Sequence, residues 1–257
     1  MRYARLFARQ VRYENRAFWR NPAAAFFTFA FPLIFLIIFN LVFGDGDIET
    51  PRGTISSSTF YVPAIVAFAV INANYSGLAT SISFARDEGQ LKRIRGTPLP
   101  AWIYLSARAA HLTLVGLLLV VIVMAFGRTF YDVEIPGKTL PAFIVSVAVG
   151  AAAFAMLGLA ISGFISNAEA APAVVNATIL PLLFISDVFI PLEDAPQWLH
   201  TVGDFFPVKH FAESLHTAYS PFETGSGFEP LDLLVVAAWG IAGAVVAFRK
   251  FSWEPRR

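Results

Sequence analysis

The sequence predicts an all-α membrane protein with six transmembrane helices and both termini on the cytoplasmic side. Three observations carry that fold class. Hydrophobic residues make up 56% of the 257 residues and charged residues only 14%, with a mean hydropathy of +0.62; a soluble domain carries about a quarter charged residues. Apolar stretches of about 20 residues, the length that crosses a bilayer as a helix, recur along the chain. Lys and Arg concentrate in alternate segments between those stretches, the others holding only Arg52, Arg128, Lys138 and Lys209, which sets the orientation. The even spread of the stretches makes residues 1–257 a single membrane domain.

Residues 1–21 form the first element. Arg2, Arg5, Arg9, Arg12, Arg16 and Arg20 step by three or four, which stacks them on one helix face. Tyr3, Phe7, Val11 and Phe18 fall on roughly the opposite face. The pattern reads as an amphipathic helix at the interface, with arginines toward lipid phosphates and aromatics in the acyl boundary. It serves as an orientation signal or as a lever that also touches a cytoplasmic partner. Asn21-Pro22 breaks it.

Six spans follow: Ala23 to Phe43, Phe60 to Ser83, Trp102 to Phe126, Leu140 to Ile165, Ala171 to Ile190 and Leu231 to Phe248. Such continuous apolar runs lack the polar face of a soluble helix. The basic N-terminus, the loop holding Arg86, Lys92, Arg93 and Arg95, and the end holding Arg249, Lys250, Arg256 and Arg257 share the inside. The alternate loops hold most of the acids, among them Asp45, Asp47, Glu49, Asp132, Glu134, Glu193, Asp194, Asp204 and Glu213. Within span three, Arg108 reaches back to the inner surface and His111 reads as a packed helix residue. Pro32, Pro63, Pro172 and Pro181 are positioned to kink their helices.

Three further segments carry candidate chemistry. The inner loop 84–100 predicts a short helix from Arg86 to Arg95, closed by Gly96 and stopped by Pro98, with Leu91 and Ile94 as an apolar ridge among charges. That ridge could dock in a groove of another protein; a solvated charged loop is the plain alternative. In span two, Asn72, Asn74, Tyr75 and Ser76 lie together, and polar groups in hydrocarbon must face protein or a water-filled cavity. Asp187 is the one acid inside an apolar span. It is either a functional carboxylate or a hydrated helix end. The segment 191–230 is too long for a structureless loop. It suits two short amphipathic helices broken near Pro207 that dip into the outer leaflet.

Several chemistries are excluded. There are no cysteines, so no disulfide framework and no cysteine metal site exist. No Gly-rich phosphate loop with its Lys-Ser/Thr is present, so the chain does not bind ATP in that way. The intramembrane serine-protease pattern fails, because Tyr75-Ser76-Gly77 and Ile161-Ser162-Gly163 lack the preceding Gly and spans four to six hold no His. Neither a metalloprotease His/Glu spacing nor an acid-rich proton relay occurs. Nothing points to nucleic acid.

The inner loop and the fifth span together resemble a known family. Asp87-Glu88-Gly89-Gln90-Leu91-Lys92-Arg93-Ile94-Arg95-Gly96-Thr97-Pro98-Leu99 follows span two. Pro181 to Leu192, then Ala195 to Leu199, then Phe206 to Val208 form a second signature. With the basic N-terminal helix and six spans, this is similar to the permeases of type 2 ATP-binding-cassette exporters, the group that includes daunorubicin-resistance transport proteins. The resemblance implies that two permeases, identical or paralogous, form a path above two separate ATPase subunits, which hold the ATP and Mg. It implies that Arg86, Asp87, Glu88, Gly89, Leu91, Arg93, Ile94, Arg95 and Pro98 belong to the coupling helix that docks in the ATPase. Arg5, Arg9, Arg12 and Arg16 would lie at the same interface, and Asn72, Asn74, Tyr75, Ser76 and Asp187 would be candidates for the path. The chain would then be a bacterial plasma-membrane exporter of a drug or lipid, with no enzymatic activity of its own. Lipid-linked polysaccharide export and a non-transporting scaffold or sensor are the alternatives. Asp187 departs from the family, which usually has Gly there.

Overall fold

The computed structural model describes residues 2–43, 46–50, 53–186, 188–189 and 196–252. The chain begins with α1 (Arg2–Trp19) and α2 (Pro22–Phe43), followed by a two-stranded antiparallel hairpin, β1 (Asp47–Thr50) and β2 (Gly53–Ser56). The hairpin, paired from Asp47↔Ser56 to Thr50↔Gly53, has no counterpart in the sequence reading. Its Ser56 accepts the Thr59 N–H at 3.3 Å and so caps the next helix. That helix runs as α3 (Ser57–Ile71), a wide π turn (Asn72–Gly77) and α4 (Leu78–Asp87), which together continue over 31 residues. Then come α5 (Gln90–Arg95), α6 (Ala101–Tyr131), α7 (Leu140–Ser162), α8 (Ala171–Phe184), α9 (Gln197–Phe205), α10 (Pro207–Tyr219) and α11 (Pro230–Lys250).

Nearly every residue of α3 is buried, so the second apolar stretch is the centre around which the others pack. The most extensive helix–helix packing is between α7 and α11. Gly240 and Gly243 allow it, because a Cβ at Gly240 would stand 2.8 Å from the Ala153 backbone and one at Gly243 3.0 Å from the Leu157 backbone. Small residues let membrane helices approach until their backbones touch.

Among the described residues, five helices are long and apolar enough to cross a membrane, not six. The expected fifth span is the exception. Instead of reaching Ile190, α8 stops at Phe184 after 14 residues, a rise of about 21 Å against a hydrocarbon core of about 30 Å. Pro181 stands in its last turn. Pro172 does not kink α8 but lies in its first turn, where a missing N–H costs nothing. The third span is longer than expected and ends only at Tyr131, where Asp132 turns left-handed at φ 53°.

Leu91 of α5, Tyr104 of α6, Ala160 of α7 and Ala247 of α11 share one small apolar cluster with the end of α4. Here the basic end of α11, α5 and α1 therefore gather at one end of the bundle. The hairpin, the starts of α3, α7 and α11, and α10 gather at the other. Gly227 illustrates this: a Cβ there would stand 2.7 Å from Thr139, just ahead of α7.

Candidate functional site

Three polar constellations interrupt this apolar bundle. The first is at the α5 end. The expected helix from Arg86 to Arg95 is split in two, because Gly89 takes the left-handed conformation at φ 70°, open to Gly at little cost. Arg86 and Asp87 end the long helix, and α5 begins afresh at Gln90. This divides the residues of the expected coupling segment into two groups. Glu88, Gln90, Lys92, Arg93, Arg95 and Pro98 are exposed. Arg86 at 1% and Leu91 at 0% are buried, and Ile94 is half-buried. Leu91 therefore does not form an outward ridge with Ile94; it packs inward with Leu78, Ile82 and Tyr104. Arg86 donates to the carbonyl oxygens of Ser162 at 3.0 Å and Ile165 at 2.5 Å. Asp87 accepts the Ala168 N–H at 2.5 Å.

Beside it lies α1. Its arginines, including Arg5, Arg9, Arg12 and Arg16, are all exposed. Its opposite face is seated on α6, with Phe7, Val11 and Phe18 half-buried. There Glu14 is buried, accepts from Gln10 at 2.8 Å and stands 3.9 Å from Arg108. Arg108 also donates to the Tyr104 hydroxyl, so it is paired across helices rather than reaching for the surface. Phe18 meets the His111 ring edge-on at 5.6 Å.

The second constellation is the π turn, which coincides with Asn72, Asn74, Tyr75 and Ser76. An extra residue in the turn shifts the i→i−4 ladder, a geometry frequent at functional sites. Asn74 is fully buried; it accepts from Thr113 of α6 at 2.8 Å and donates to the Val70 carbonyl at 3.0 Å. The Tyr75 hydroxyl meets Thr178 of α8 at 2.7 Å. Gly158 of α7 lies against the same turn, since a Cβ there would be 2.7 Å from the Tyr75 carbonyl oxygen. Asn74 and Tyr75 thus join α6, α7 and α8 to the central helix, while Asn72 and Ser76 remain half-exposed. Asp187 lies outside the described residues.

The third constellation, in α9 and α10, is absent from the sequence reading. Trp239 donates its indole N–H to the Phe205 carbonyl at 2.9 Å, about 13 Å along α11 from its first residue. The corner at Pro207 thus enters the bundle and α10 returns toward its end. Lys209 is buried, 2.5 Å from Asp204 and 3.7 Å from Glu213. His210 hydrogen-bonds Asp232 of α11 through Nδ1 and the Asp204 carbonyl through Nε2, each at 2.8 Å. Burial alone lowers the His210 pKa, but these hydrogen bonds and the Asp232 and Glu213 charges prevail and raise it above the ordinary imidazole value. Burial raises the Tyr219 phenol pKa. His210, Glu213 and Asp232 bring three ligand atoms within 4.8 Å of one another, yet both imidazole nitrogens are engaged and the Lys209 ammonium is beside Glu213. The signal available in the sequence was the run of ionisable residues Asp204, Lys209, His210 and Glu213, followed by Asp232 at the start of the last apolar stretch.

The bundle exposes a short basic helix beyond the left-handed Gly89, and the family comparison places it among membrane transporters. The chain belongs to the ABC-2 type transporter family, whose model matches residues 5–219. It is 24% identical over 198 residues to the putative transport permease YvfS of Bacillus subtilis, covering 77% of this chain and 79% of YvfS. It is 24% identical over 160 residues to the probable multidrug ABC transporter permease YbhR of Escherichia coli, covering 62% of this chain but only 43% of YbhR. The daunorubicin resistance permease DrrB1 of Streptomyces coeruleorubidus is 29% identical over 197 residues, covering 70% of this chain and 63% of DrrB1. A plasma-membrane location fits the family, its bacterial members and the apolar helices.

Proposed function

We propose that this chain is the membrane permease of an ATP-driven exporter that moves a hydrophobic or amphipathic molecule, a drug or lipid, from the cytoplasm or inner leaflet outward. Two permeases, identical or paralogous, form the path, and two separate ATPase subunits bind and hydrolyse ATP with Mg. The observation that carries this reading is α5: a six-residue helix, anchored by buried Leu91 and presenting Lys92, Arg93 and Arg95 outward. Its basic face and the arginines of α1 are on the cytoplasmic side and meet the ATPase and the anionic lipid surface. The short helices α9 and α10 lie in the outer leaflet over the exit. Asn72 and Ser76, half-exposed on the π turn, line the path.

The names of the relatives support a drug-like cargo: multidrug for YbhR and daunorubicin for DrrB1. The test is co-purification with an ATP-binding-cassette ATPase, followed by ATPase and transport assays in proteoliposomes with daunorubicin and a fluorescent phospholipid. Arg93→Glu with Arg95→Glu should abolish association while leaving insertion intact. Wild-type protein that binds no such ATPase, or association that survives the double reversal, would refute the docking reading. Cargo-independent ATPase activity and no flux would point to a non-transporting scaffold.

A further inference from the structure

Arg86 and Asp87 are adjacent and oppositely charged, and the first is buried and the second only partly exposed, so they are poorly suited to docking a partner. Burying a guanidinium costs several kcal/mol unless its donors are satisfied, so its partners show what it is for. Among them are the carbonyls of Ser162, in the last turn of α7, and of Ile165 beyond it, with the Asp87 carboxylate 3.9 Å away. The last four carbonyls of a helix have no partner within it, and that end carries the negative pole of the helix dipole. Asp87 takes the opposite role. It accepts the Ala168 N–H in the turn that leads into α8. One donor and one acceptor at the end of α4 therefore fasten both sides of the α7–α8 elbow. A second tie lies deeper, where Tyr75 of the π turn meets Thr178 of α8. Two ties separated by the ten residues of α4 make α4 and the start of α8 one body, with the wide turn above it as a hinge.

We propose that Arg86 and Asp87 form a transmission clamp: they bind α4 to the α7–α8 elbow, so that displacement of α5 moves α8 and not the end of α4 alone. The clamp rests on the ATPase-docking reading of α5. Arg86 is a positioning residue, acting through the backbone it holds.

The test uses the complex with its ATPase in nanodiscs. The chain has no cysteines, so pairs of engineered cysteines carry spin labels without other changes. Gln90 and Ser166 are exposed and report the body; Gln90 and Thr201 report its motion against α9. In the wild type the Gln90–Ser166 distance should stay constant between nucleotide-free and ATP-trapped states while Gln90–Thr201 changes. In Arg86→Gln the first distance should broaden and respond to nucleotide, and transport per ATP hydrolysed should fall about tenfold, within the range of a broken coupling contact. Arg86→Lys, keeping one donor, should recover part of both. Asp87→Ala, at a partly exposed position, gives the same readout if Arg86→Gln fails to fold. A wild-type Gln90–Ser166 distance that changes with nucleotide, or folded variants with unchanged distance and coupling, would overturn the clamp alone. No nucleotide response at Gln90–Thr201 would overturn the docking reading and the clamp with it.

Discussion

The two ends of the bundle each bury a cation, and they satisfy it differently. At the α5 end the Arg86 guanidinium donates to backbone carbonyls. At the other end the Lys209 ammonium meets the side chains of Asp204 and Glu213, with His210 and Asp232 beside them. Carbonyls at a helix end are directional and do not titrate. Carboxylates and imidazole do titrate, and here Asp204 and Glu213 keep 56% and 41% of their side-chain surface. The hydrogen bonds of Arg86 to carbonyls therefore have no titrating acceptor, whereas the second arrangement can loosen with pH.

The sharpest way to break this comparison is at Leu91. Leu91→Asp puts a carboxylate at a fully buried site and should destabilise the fold by about 3–5 kcal/mol, seen as loss of monodisperse protein in detergent. Arg93→Glu, two residues away on the exposed side, should leave thermal stability unchanged. If both variants fold equally well, α5 is not anchored as described.

Next is the fate of the partners when the cation is removed. Arg86→Met leaves buried carbonyls unsatisfied and should cost about 2–4 kcal/mol. Lys209→Met leaves carboxylates that water can reach and should cost about 1 kcal/mol. Thermal unfolding of the two variants measures the gap, and an equal loss would erase the distinction between the ends.

A third test concerns the middle of the bundle. Gly158→Ala brings a methyl against the Tyr75 carbonyl, within 2.7 Å, and should cost about 1–3 kcal/mol. A stable variant with normal transport would show that the π turn tolerates displacement of α7.

The smallest effect is a pH dependence. The folded-state pKa of His210 is raised above its ordinary value near 6.5. Its contribution to stability is therefore fully present below that value and is lost as pH rises through the folded pKa. The melting temperature should decline over that interval in the wild type and not in His210→Gln. The α5 end, probed by fluorescence of an introduced label, should show no such slope.

Much of this was legible in the sequence. The apolar stretches place five long helices because hydropathy over about 20 residues is a local property. The Asn74 and Tyr75 patch was visible because polar residues are conspicuous in an apolar run. The break at Pro207 was visible because proline ends helices by its own geometry. The hairpin at 47–56 was missed because four-residue strands leave little periodicity to read.

The sequence by itself determined a multi-span helical protein with a basic face, since composition, stretch length and charge asymmetry need no partner to be read. Only the tertiary structure decided which charges turn inward. Arg86 and Arg93 lie on the same loop and look alike in sequence; one is held by helix-end carbonyls 76 residues away and the other is exposed. Likewise Glu14, Lys209 and His210 are ordinary surface residues until a neighbouring helix covers them. Burial depends on contacts between distant segments, and local pattern carries no record of those.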